Sequence, residues 1–399
     1  MILVCALGIR ILWAAAVPVV PVSDSAAYDL LAVSLAEGNG YAFAPGEPSA
    51  YWPVGASAVY SVLYRVFGHA YWPAAILHIL LGIAMTALAM FYALERFGPG
   101  PAQWTGAFLA VWPALVQFTT VLASELPCIV LMLSSLIAWT LPRGNFWIRA
   151  VVAGICIALA SYVRPTALLF PVVFAFAHIV QGHCPRKAIG GVGIMLAVMA
   201  LCIAPWTLRN IRVFGDFALI STNGGANLWM GNNPDTTGEY MPLPESVENM
   251  SETARNAHLK QAARAYILDD PGAFVMRTLK KLIRLHDRET IGVVWNREGL
   301  AARYPGFIQP ALKGLSELWW LAMLALAIAG TLVYLRKRGL RVLLGEPAFL
   351  LWAYFAAVHA VIVIQDRYHF PSNPFIAMFA AFTVHAFLSR KRGVAGPAS

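Results

Sequence analysis

Residues 23–55 read SDSAAYDLLAVSLAEGNGYAFAPGEPSAYWPVG and follow directly after an apolar run, so they are the first polar ground that the chain reaches. Ser23 or Asp24 can cap a helix that begins here, and Gly38 is a natural end for it after about four turns. The stretch therefore predicts a helix at the surface of a membrane.

One face of this helix carries a single carboxylate. A spacing of i, i+4, i+7 and i+11 defines that face, and it holds Asp24, Tyr28, Leu31 and Leu35. Asp29 is five positions from Asp24 and points elsewhere. A carboxylate held against apolar neighbours at the positive end of a helix suits a catalytic base better than it suits solubility.

The composition indicates a polytopic membrane protein. Of 399 residues, 59% are hydrophobic and only 12% are charged, and the mean hydropathy is +0.65. A soluble domain of this length carries more charge. The net charge of +9 is not a nucleic-acid signature, because the Lys and Arg residues flank apolar runs. The 5 cysteines show no CxxC spacing, which predicts neither a disulfide framework nor a zinc site.

Apolar runs long enough to cross ~30 Å of hydrocarbon predict about ten spans. They begin near Ile2, Tyr71, Gln103, Leu126, Phe146, Ala167, Ala188, Leu315, Pro347 and Asn373. The first run could also be a cleaved signal peptide, because Ala14-Ala15-Ala16 lies near its end. Arg10 lies inside this run, not before it, which favours a retained first helix.

The charges between the spans predict the orientation. With the N-terminus in the cytoplasm, the inside loops hold most of the basic residues, namely Arg96, Arg143, Arg149, Arg186, Lys187, Arg336, Lys337, Arg338, Arg341, Arg390, Lys391 and Arg392. The short outside loops hold Arg65, Arg164 and Arg367. The acids Asp24, Asp29, Glu37, Glu47, Glu125 and Asp366 fall outside. This positive-inside asymmetry predicts a protein of the cytoplasmic (inner) membrane, with both termini cytoplasmic and its chemistry on the outer face.

Three regions follow from this topology. Residues 1–206 form an N-terminal transmembrane module with a catalytic first outer loop at 21–70, and residues 313–399 form a C-terminal transmembrane module with a short cytoplasmic tail. Residues 207–312 form one extracytoplasmic loop. That loop is too long and too polar to be a connector, so we expect it to carry binding or catalysis.

The outer loop contains two predicted helices. The first runs from about Ser251 to Leu268 and is stopped by Asp269-Asp270-Pro271-Gly272. The second places basic and apolar side chains on different faces, Arg277, Lys281, Arg284 and Arg288 on one and Val275, Leu279 and Leu282 on another. A basic amphipathic helix of this kind is typical of the bilayer surface. Structural anchoring is the favoured interpretation, and a grip on lipid phosphates is the alternative.

Six short motifs occur in order along nearly the whole chain. They are Asp24…Tyr28…Ala32…Gly38-x-Gly40-Tyr41…Pro53-x-Gly55, Ser124-Glu125-x-Pro127, Arg164-Pro165, Pro205-Trp206-Thr207-x-Arg209-Asn210, Gly231-Asn232-Asn233-Pro234 and Arg367-Tyr368-x-x-Pro371. In this order the chain resembles the GT-C superfamily of membrane glycosyltransferases. The resemblance is closest to bacterial enzymes related to protein O-mannosyltransferases and to the lipid A aminoarabinose transferase. No motif is specific alone, and their joint order carries the resemblance.

The resemblance implies an all-α helical bundle of GT-C type with juxtamembrane helices at its outer face. It implies inverting transfer of a sugar from a polyprenyl-phosphate donor to a hydroxyl acceptor outside the cytoplasm. It also implies that the first outer loop supplies the base, which here is Asp24, the same carboxylate that the helical face singles out. A plain helix N-cap is the alternative role of Asp24, and the two roles are compatible.

Arginine suits a donor phosphate, because its planar fork matches two oxygens and it keeps its proton. The outer-face candidates are Arg209, Arg367, Arg164 and Arg212, each of which could instead be a snorkelling residue at the end of a span. Substrate contacts are predicted for Tyr28, Tyr41, Trp52, Glu125, Tyr368 and His369. Dipole compensation at a helix start would also explain Glu125, and an interfacial filler is the favoured interpretation of His369.

Two features depart from the resembled enzymes. Relatives of the aminoarabinose type often carry a lysine before the Pro-x-Gly element, where this chain has Tyr51 and Trp52, so another cation is expected to meet the phosphate. The chain also shows no Glu/His pair for the metal that some relatives bind. No metal ligand is predicted, and a divalent metal requirement stays open.

Two other functions compete with a hexosyl- or pentosyltransferase. A lipid-linked sugar flippase would also have many spans, but it should show repeat symmetry and charges near the midplane of the membrane. A non-catalytic scaffold would leave Asp24 and the arginines without a role. Among acceptors, a lipopolysaccharide or other envelope glycolipid, a glycan and a protein all stay open.

Overall fold

The computed structural model of the chain describes residues 1–391, so Arg392 and the predicted tail beyond it lie outside the described residues. The α-helices are α1 (Ile2–Ala16), α2 (Asp24–Ala36), α3 (Val54–Phe67), α4 (Trp72–Phe97), α5 (Pro99–Val111), α6 (Pro113–Gln117), α7 (Glu125–Thr140), α8 (Phe146–Val163), α9 (Phe170–Val180), α10 (Pro185–Phe214), α11 (Gly224–Asn232), α12 (Glu252–Asp269), α13 (Pro271–Arg284), α14 (Ile291–Trp295), α15 (Arg297–Ala301), α16 (Ile308–Arg338), α17 (Leu340–Leu344), α18 (Pro347–Val361) and α19 (Asn373–Lys391). Short 3-10 helices lie at Phe118–Thr120, Pro165–Leu169, Glu245–Val247 and Phe370–Ser372. One antiparallel hairpin pairs β1 (Ala42–Ala44) with β2 (Glu47–Pro48).

The predicted all-α membrane fold is confirmed. In the described residues, 5 helices are long and apolar enough to cross a membrane, namely α4, α8, α10, α16 and the Phe370–Ser389 stretch that contains α19. Pro113–Thr120 and Glu125–Thr140 together would make one more span, bent by 119°. The predicted spans near Ile2, Ala167 and Pro347 are apolar helices of only 10–17 residues, and the one near Gln103 corresponds to α5. The chain is thus a multi-pass membrane protein.

A large apolar core and the buried side chain of Arg10 hold the helices of the bundle together. Helix α16 packs along α19, while α8 packs between α7 and α10, around large side chains that include Trp112, Phe170 and Phe375. Arg10 of α1 is fully buried and donates hydrogen bonds to the backbone oxygens of Leu109 and Ala110, and each bond is 3.2 Å long. Because an arginine within a span is costly unless it finds partners, these bonds give Arg10 a structural role in fixing α1 to α5.

A break before α7 sets the start of that helix. Residues 121–124 leave the helical pattern, so their backbone groups need other partners in the apolar interior. The Tyr60 hydroxyl donates to the backbone oxygen of Ala123 and accepts from its N–H, both over 2.9 Å. Glu125 then opens α7 next to this break.

The predicted first outer loop contains the two helices α2 and α3, with the β1–β2 hairpin between them. Helix α2 ends at Ala36, and Gly38 follows with a φ of 86°, as expected for the end of a helix. A Cβ atom at Gly55 would lie 2.7 Å from the backbone oxygen of Tyr162, so only glycine lets α3 approach the end of α8 this closely. The Pro-x-Gly motif thus has a packing reason.

Helix α10 continues beyond Thr207, the predicted start of the long outer loop, and ends at Phe214. Within the loop, α12 matches the predicted helix, and Ser251 caps it by accepting a hydrogen bond from the N–H of Ala254. Helix α13 covers most of the predicted amphipathic stretch. Of the predicted basic face, Lys281 is 2% exposed and Arg277 is half-buried, whereas Arg284 and Arg288 are exposed.

Lys281 ties α13 to the end of α18. Its Nζ donates to the backbone oxygens of Gly231, Val361 and Ile362 over 2.9, 3.0 and 3.0 Å. The last carbonyls of a helix lack partners within it, and an ammonium group satisfies them well. Burial lowers the pKa of Lys281 to about 8. The apolar residues Val275, Leu279 and Ile283 are exposed on the same helix.

We predict that Gly55→Ala destabilises the protein by about 1–3 kcal/mol, because the new Cβ would press on backbone atoms that have no alternative rotamer. Thermal unfolding in detergent measures the effect. Gly193→Ala in α10 is the matched control, since a Cβ there meets nothing within 4 Å. Equal unfolding temperatures for the two variants would contradict the close α3–α8 contact.

Candidate functional site

Only one of the two carboxylate oxygens of Asp24 accepts a hydrogen bond from the described residues. Asp24 lies in the first turn of α2, and its Oδ2 accepts a hydrogen bond from Nη2 of Arg367, which lies in the loop between α18 and α19. The Asp24 side chain is 15% exposed, and its Oδ1 has no hydrogen-bond partner among residues 1–391. Nε of Arg367 donates to Oε1 of Gln365 over 2.8 Å, which fixes the guanidinium. One oxygen of Asp24 is therefore oriented and the other is open.

The backbone that delivers Asp24 is strained. Ser23 has a φ of 53° and is the only non-glycine residue with a positive φ in the described part of the chain. It stands at the N-cap position of α2, yet its side chain makes no cap hydrogen bond. Such a conformation costs on the order of 1–3 kcal/mol and persists where surrounding contacts impose it. The Arg367–Asp24 ion pair is one such contact.

Two further buried charges extend the ion pair. Oε1 of Glu125 accepts from Nη1 of Arg367 over 3.0 Å and from Nη1 of Arg164 over 2.8 Å. We call Asp24, Arg367, Glu125 and Arg164 the charge chain. Its signs alternate, so every buried charge has an opposite neighbour. Burial lowers the pKa of Arg367, but Asp24 and Glu125 outweigh this effect, so its pKa is raised overall.

Aromatic rings line the charge chain. The Arg367 guanidinium lies 4.3 Å from the ring centroid of Trp295, and the Tyr368 ring lies 5.3 Å from the guanidinium carbons of both Arg367 and Arg164. On the side of α2, the ring of Tyr28 contacts that of Trp52 with centroids 5.9 Å apart. These contacts hold the cations by cation–π attraction and leave flat apolar surfaces beside Asp24.

The structure brings most of the predicted site residues together and places the others elsewhere. Asp24, Arg367, Glu125 and Arg164 form the charge chain, with Tyr28, Trp52 and Tyr368 beside it. Arg209 donates to the backbone oxygens of Ser49 and Tyr41 over 2.8 and 3.1 Å, so it braces the first outer loop. Tyr41 is buried, and its hydroxyl donates to the backbone oxygen of Trp52. Arg212 is exposed near the end of α10.

His369 is buried, and both of its ring nitrogens have protein partners. Its Nδ1 lies 2.9 Å from the backbone oxygen of Leu285, and its Nε2 lies 3.1 Å from Oε1 of Glu289. Glu289 also accepts from Nε1 of Trp112 and Nδ2 of Asn373, each over 2.8 Å. Burial raises the pKa of Glu289 to about 8 and lowers that of His369 to about 4. A protonated Glu289 that donates to a neutral His369 satisfies both groups.

Sequence reasoning missed several residues around the charge chain. Gln365 and Trp295 contact Arg367, and Glu289 contacts His369, but none of these three belongs to a motif, so only their tertiary contacts reveal them. Ser124 begins one of the motifs, but no role is predicted for it from the sequence, and here it accepts a hydrogen bond from Arg164.

Asp29 points away from the charge chain, as the helical spacing predicts. It accepts hydrogen bonds from the hydroxyls of Tyr64 and Tyr71 and contacts His69, and it lines a separate cavity of about 500 Å³. An apolar cavity of about 540 Å³ lies between α1 and α4, and Asp24 lines neither of the two. In the described chain, no group of three or more His, Cys, Asp or Glu residues could hold a metal ion.

The structure is similar to solved archaeal oligosaccharyltransferases over its whole length. AglB from Archaeoglobus fulgidus, solved with an inhibitory peptide and a dolichol-phosphate, matches with a TM-score of 0.58 at 14% identity over 100% of this chain and 52% of its own. The A. fulgidus enzyme tethered to an acceptor peptide containing the NVT sequon gives a TM-score of 0.60 at 15% identity over 99% and 50%. The chain spans about half the length of these enzymes.

A second neighbour is ArnT from Cupriavidus metallidurans bound to undecaprenyl phosphate, with a TM-score of 0.45 at 15% identity over 97% of this chain and 78% of that one. No family profile and no curated protein matches the sequence. The predicted resemblance to the GT-C membrane glycosyltransferases is thus confirmed as a likeness of fold.

We predict that Glu289 makes stability fall with rising pH. Because its pKa in the folded protein lies above its unfolded value, its stabilising contribution is full at acidic pH and is lost as the pH rises through about 8. The Glu289 contribution to the unfolding temperature in detergent should therefore decline between about pH 4.5 and about pH 8 and change little above that. Glu289→Gln keeps a donor for His369 and should lose this part of the decline, whereas an identical decline in both proteins would contradict the protonated state of Glu289.

Proposed function

We propose that this chain is an inverting glycosyltransferase that moves a sugar from a polyprenyl-phosphate donor to a hydroxyl acceptor. The open Oδ1 of Asp24 carries the proposal, since a reachable carboxylate oxygen beside aromatic rings suits a general base. The fold supports it, because the neighbours with the higher TM-scores are oligosaccharyltransferases. The sugar is a hexose or a pentose, and the acceptor is an envelope glycolipid such as lipopolysaccharide, a glycan or a protein.

The chemistry follows from the geometry of Asp24. An acceptor hydroxyl donates a hydrogen bond to Oδ1 and attacks the anomeric carbon on the face opposite the phosphate. The bond from the anomeric carbon to the phosphate oxygen breaks while the bond to the acceptor oxygen forms, and the proton moves to Asp24. The products are the glycosylated acceptor, with inverted configuration, and a polyprenyl phosphate.

The charge chain supports this reaction in two ways. Arg367 orients Asp24, and it keeps spare N–H groups because a guanidinium has five donors. Nε and Nη2 of Arg164 make no hydrogen bond with the described residues. We therefore propose that these two arginines contribute hydrogen-bond donors to the leaving phosphate, while the charge that balances it comes from outside the charge chain. Tyr28, Trp52 and Tyr368 are the substrate-binding side chains, whereas the roles of Arg209 and Tyr41 are to brace the loop.

A lipid-linked sugar flippase is the competing function. The charge chain draws its members from the first turns of α2 and α7, from the end of α8 and from a loop, not from the middle of spans. Arg10 does lie within α1, but both of its Nη atoms donate to backbone carbonyls, so it is tied into the bundle. Charges at helix ends favour an enzyme that works at the membrane surface.

We predict that Asp24→Asn lowers turnover by about 10²–10⁴-fold, because the amide cannot take the proton. Transfer from a panel of radiolabelled polyprenyl-phosphate sugars into isolated membranes measures it. Asp29→Asn is the matched control on another face of the same helix, and its turnover should stay near that of the wild type. Near-normal turnover of the Asp24 variant would remove this residue from the mechanism.

We also predict that a cysteine at position 39 is labelled from outside the cell, because Asn39 follows α2 in the first outer loop. The background protein replaces the exposed Cys5 and Cys184 by serine. A cysteine at position 187, in a predicted inside loop, is the control and should react only after permeabilisation. Labelling of position 39 only from the cytoplasm would overturn the proposed orientation.

A further inference from the structure

The four side chains of the charge chain have a net charge of zero, so they offer a donor phosphate no unbalanced positive charge. The two carboxylates, of Asp24 and Glu125, balance the two guanidinium groups, of Arg367 and Arg164. A phosphate that enters here adds negative charge, so binding it needs a cation beyond the four. Arg209 is committed to backbone carbonyls and lies within electrostatic range of Glu252, so it does not fill this need.

Arg255 is a cation whose guanidinium is not bound to backbone carbonyls in the described part of the chain. It lies in the first turns of α12 and is partly exposed, and its guanidinium makes no hydrogen bond or ion pair with any of residues 1–391. The guanidinium carbon lies 5.6 Å from the ring centroid of Tyr51. The Tyr51 ring contacts the Trp52 ring at 5.2 Å, and Trp52 contacts Tyr28, one turn after Asp24. A continuous row of aromatic rings therefore joins Arg255 to the candidate base.

Glu252 fixes Arg255 in this place. The Glu252 carboxylate accepts hydrogen bonds from Oγ of Ser49, from the N–H of Ala50 and from Oγ1 of Thr222, over 2.7, 2.9 and 3.1 Å. These bonds pin the first turn of α12 to the segment just before Tyr51. Residues three apart on a helix share a face, so the same contact that anchors Glu252 presents Arg255 to the Tyr51 ring.

We propose that Arg255 binds the phosphate of the lipid-linked donor above the Tyr51–Trp52 rings, which makes the long outer loop part of the donor site. The inference rests on the proposed function. A guanidinium offers paired donors to a phosphate, and flat rings beside it suit the apolar face of a sugar or the first prenyl units. Burial raises the pKa of the Tyr51 hydroxyl, and both Arg255 and Asp24 act on it, which agrees with one shared space.

Binding of radiolabelled undecaprenyl phosphate and of undecaprenol to the full chain in nanodiscs tests this assignment. The wild type should prefer the phosphate. Arg255→Gln should weaken undecaprenyl phosphate binding about tenfold, since a charge-assisted contact is lost, and leave undecaprenol binding unchanged. Arg255→Lys should keep most of the affinity. Inorganic phosphate should compete only weakly, because it lacks the prenyl chain.

Arg264→Gln is the matched control, because Arg264 is exposed on the same helix and lies nine residues further on, on the opposite face. It should bind undecaprenyl phosphate like the wild type. If Arg255→Gln binds undecaprenyl phosphate normally, or loses both ligands equally, the role of Arg255 is refuted while the proposed function stands. If the wild type itself does not prefer undecaprenyl phosphate to undecaprenol, the donor class of the proposed function fails as well.

Discussion

Arg367 makes the interaction on which the structure depends, because one guanidinium joins two carboxylates from different parts of the chain. Asp24 comes from the first outer loop and Glu125 from the start of α7, and Arg164 at the end of α8 completes the alternation. Removing any one of these groups would leave a buried charge uncompensated, which costs far more than an exposed ion pair contributes. The ion pairs therefore hold the four segments that carry these side chains in contact with one another.

The long outer loop packs against the segments that flank the charge chain through several separate contacts. Glu252 holds the segment before Tyr51, Lys281 holds the end of α18, and Thr290 donates through both its N–H and its hydroxyl to Asp366, next to Arg367. Each contact joins the loop to an element that carries or flanks a member of the charge chain. The loop thus helps to fix the positions of the elements that carry the charge chain.

The sequence was sufficient for features that depend on local order. Helical spacing separated Asp24 from Asp29, and apolar runs located the long helices. It was insufficient where a partner lies far along the chain. Arg209 and Arg367 look equivalent beside their motifs, yet one binds backbone carbonyls and the other binds carboxylates. The amphipathic pattern of α13 did not single out Lys281, which is buried because three backbone carbonyls accept from its Nζ, whereas Arg284 on the same face is exposed. Arg255 belongs to no motif, so only the Glu252 contact reveals its place.

The short apolar helices have a consequence for the surrounding lipid. Helix α1 ends shortly before Asp24, a 3-10 turn and α9 follow Arg164, and α18 ends shortly before Arg367. Helices of 10–17 residues are too short for ~30 Å of hydrocarbon, so the acyl chains beside them must compress or tilt. We expect the bilayer to be thinner beside these helices, which would bring lipid head groups closer to the level of Asp24.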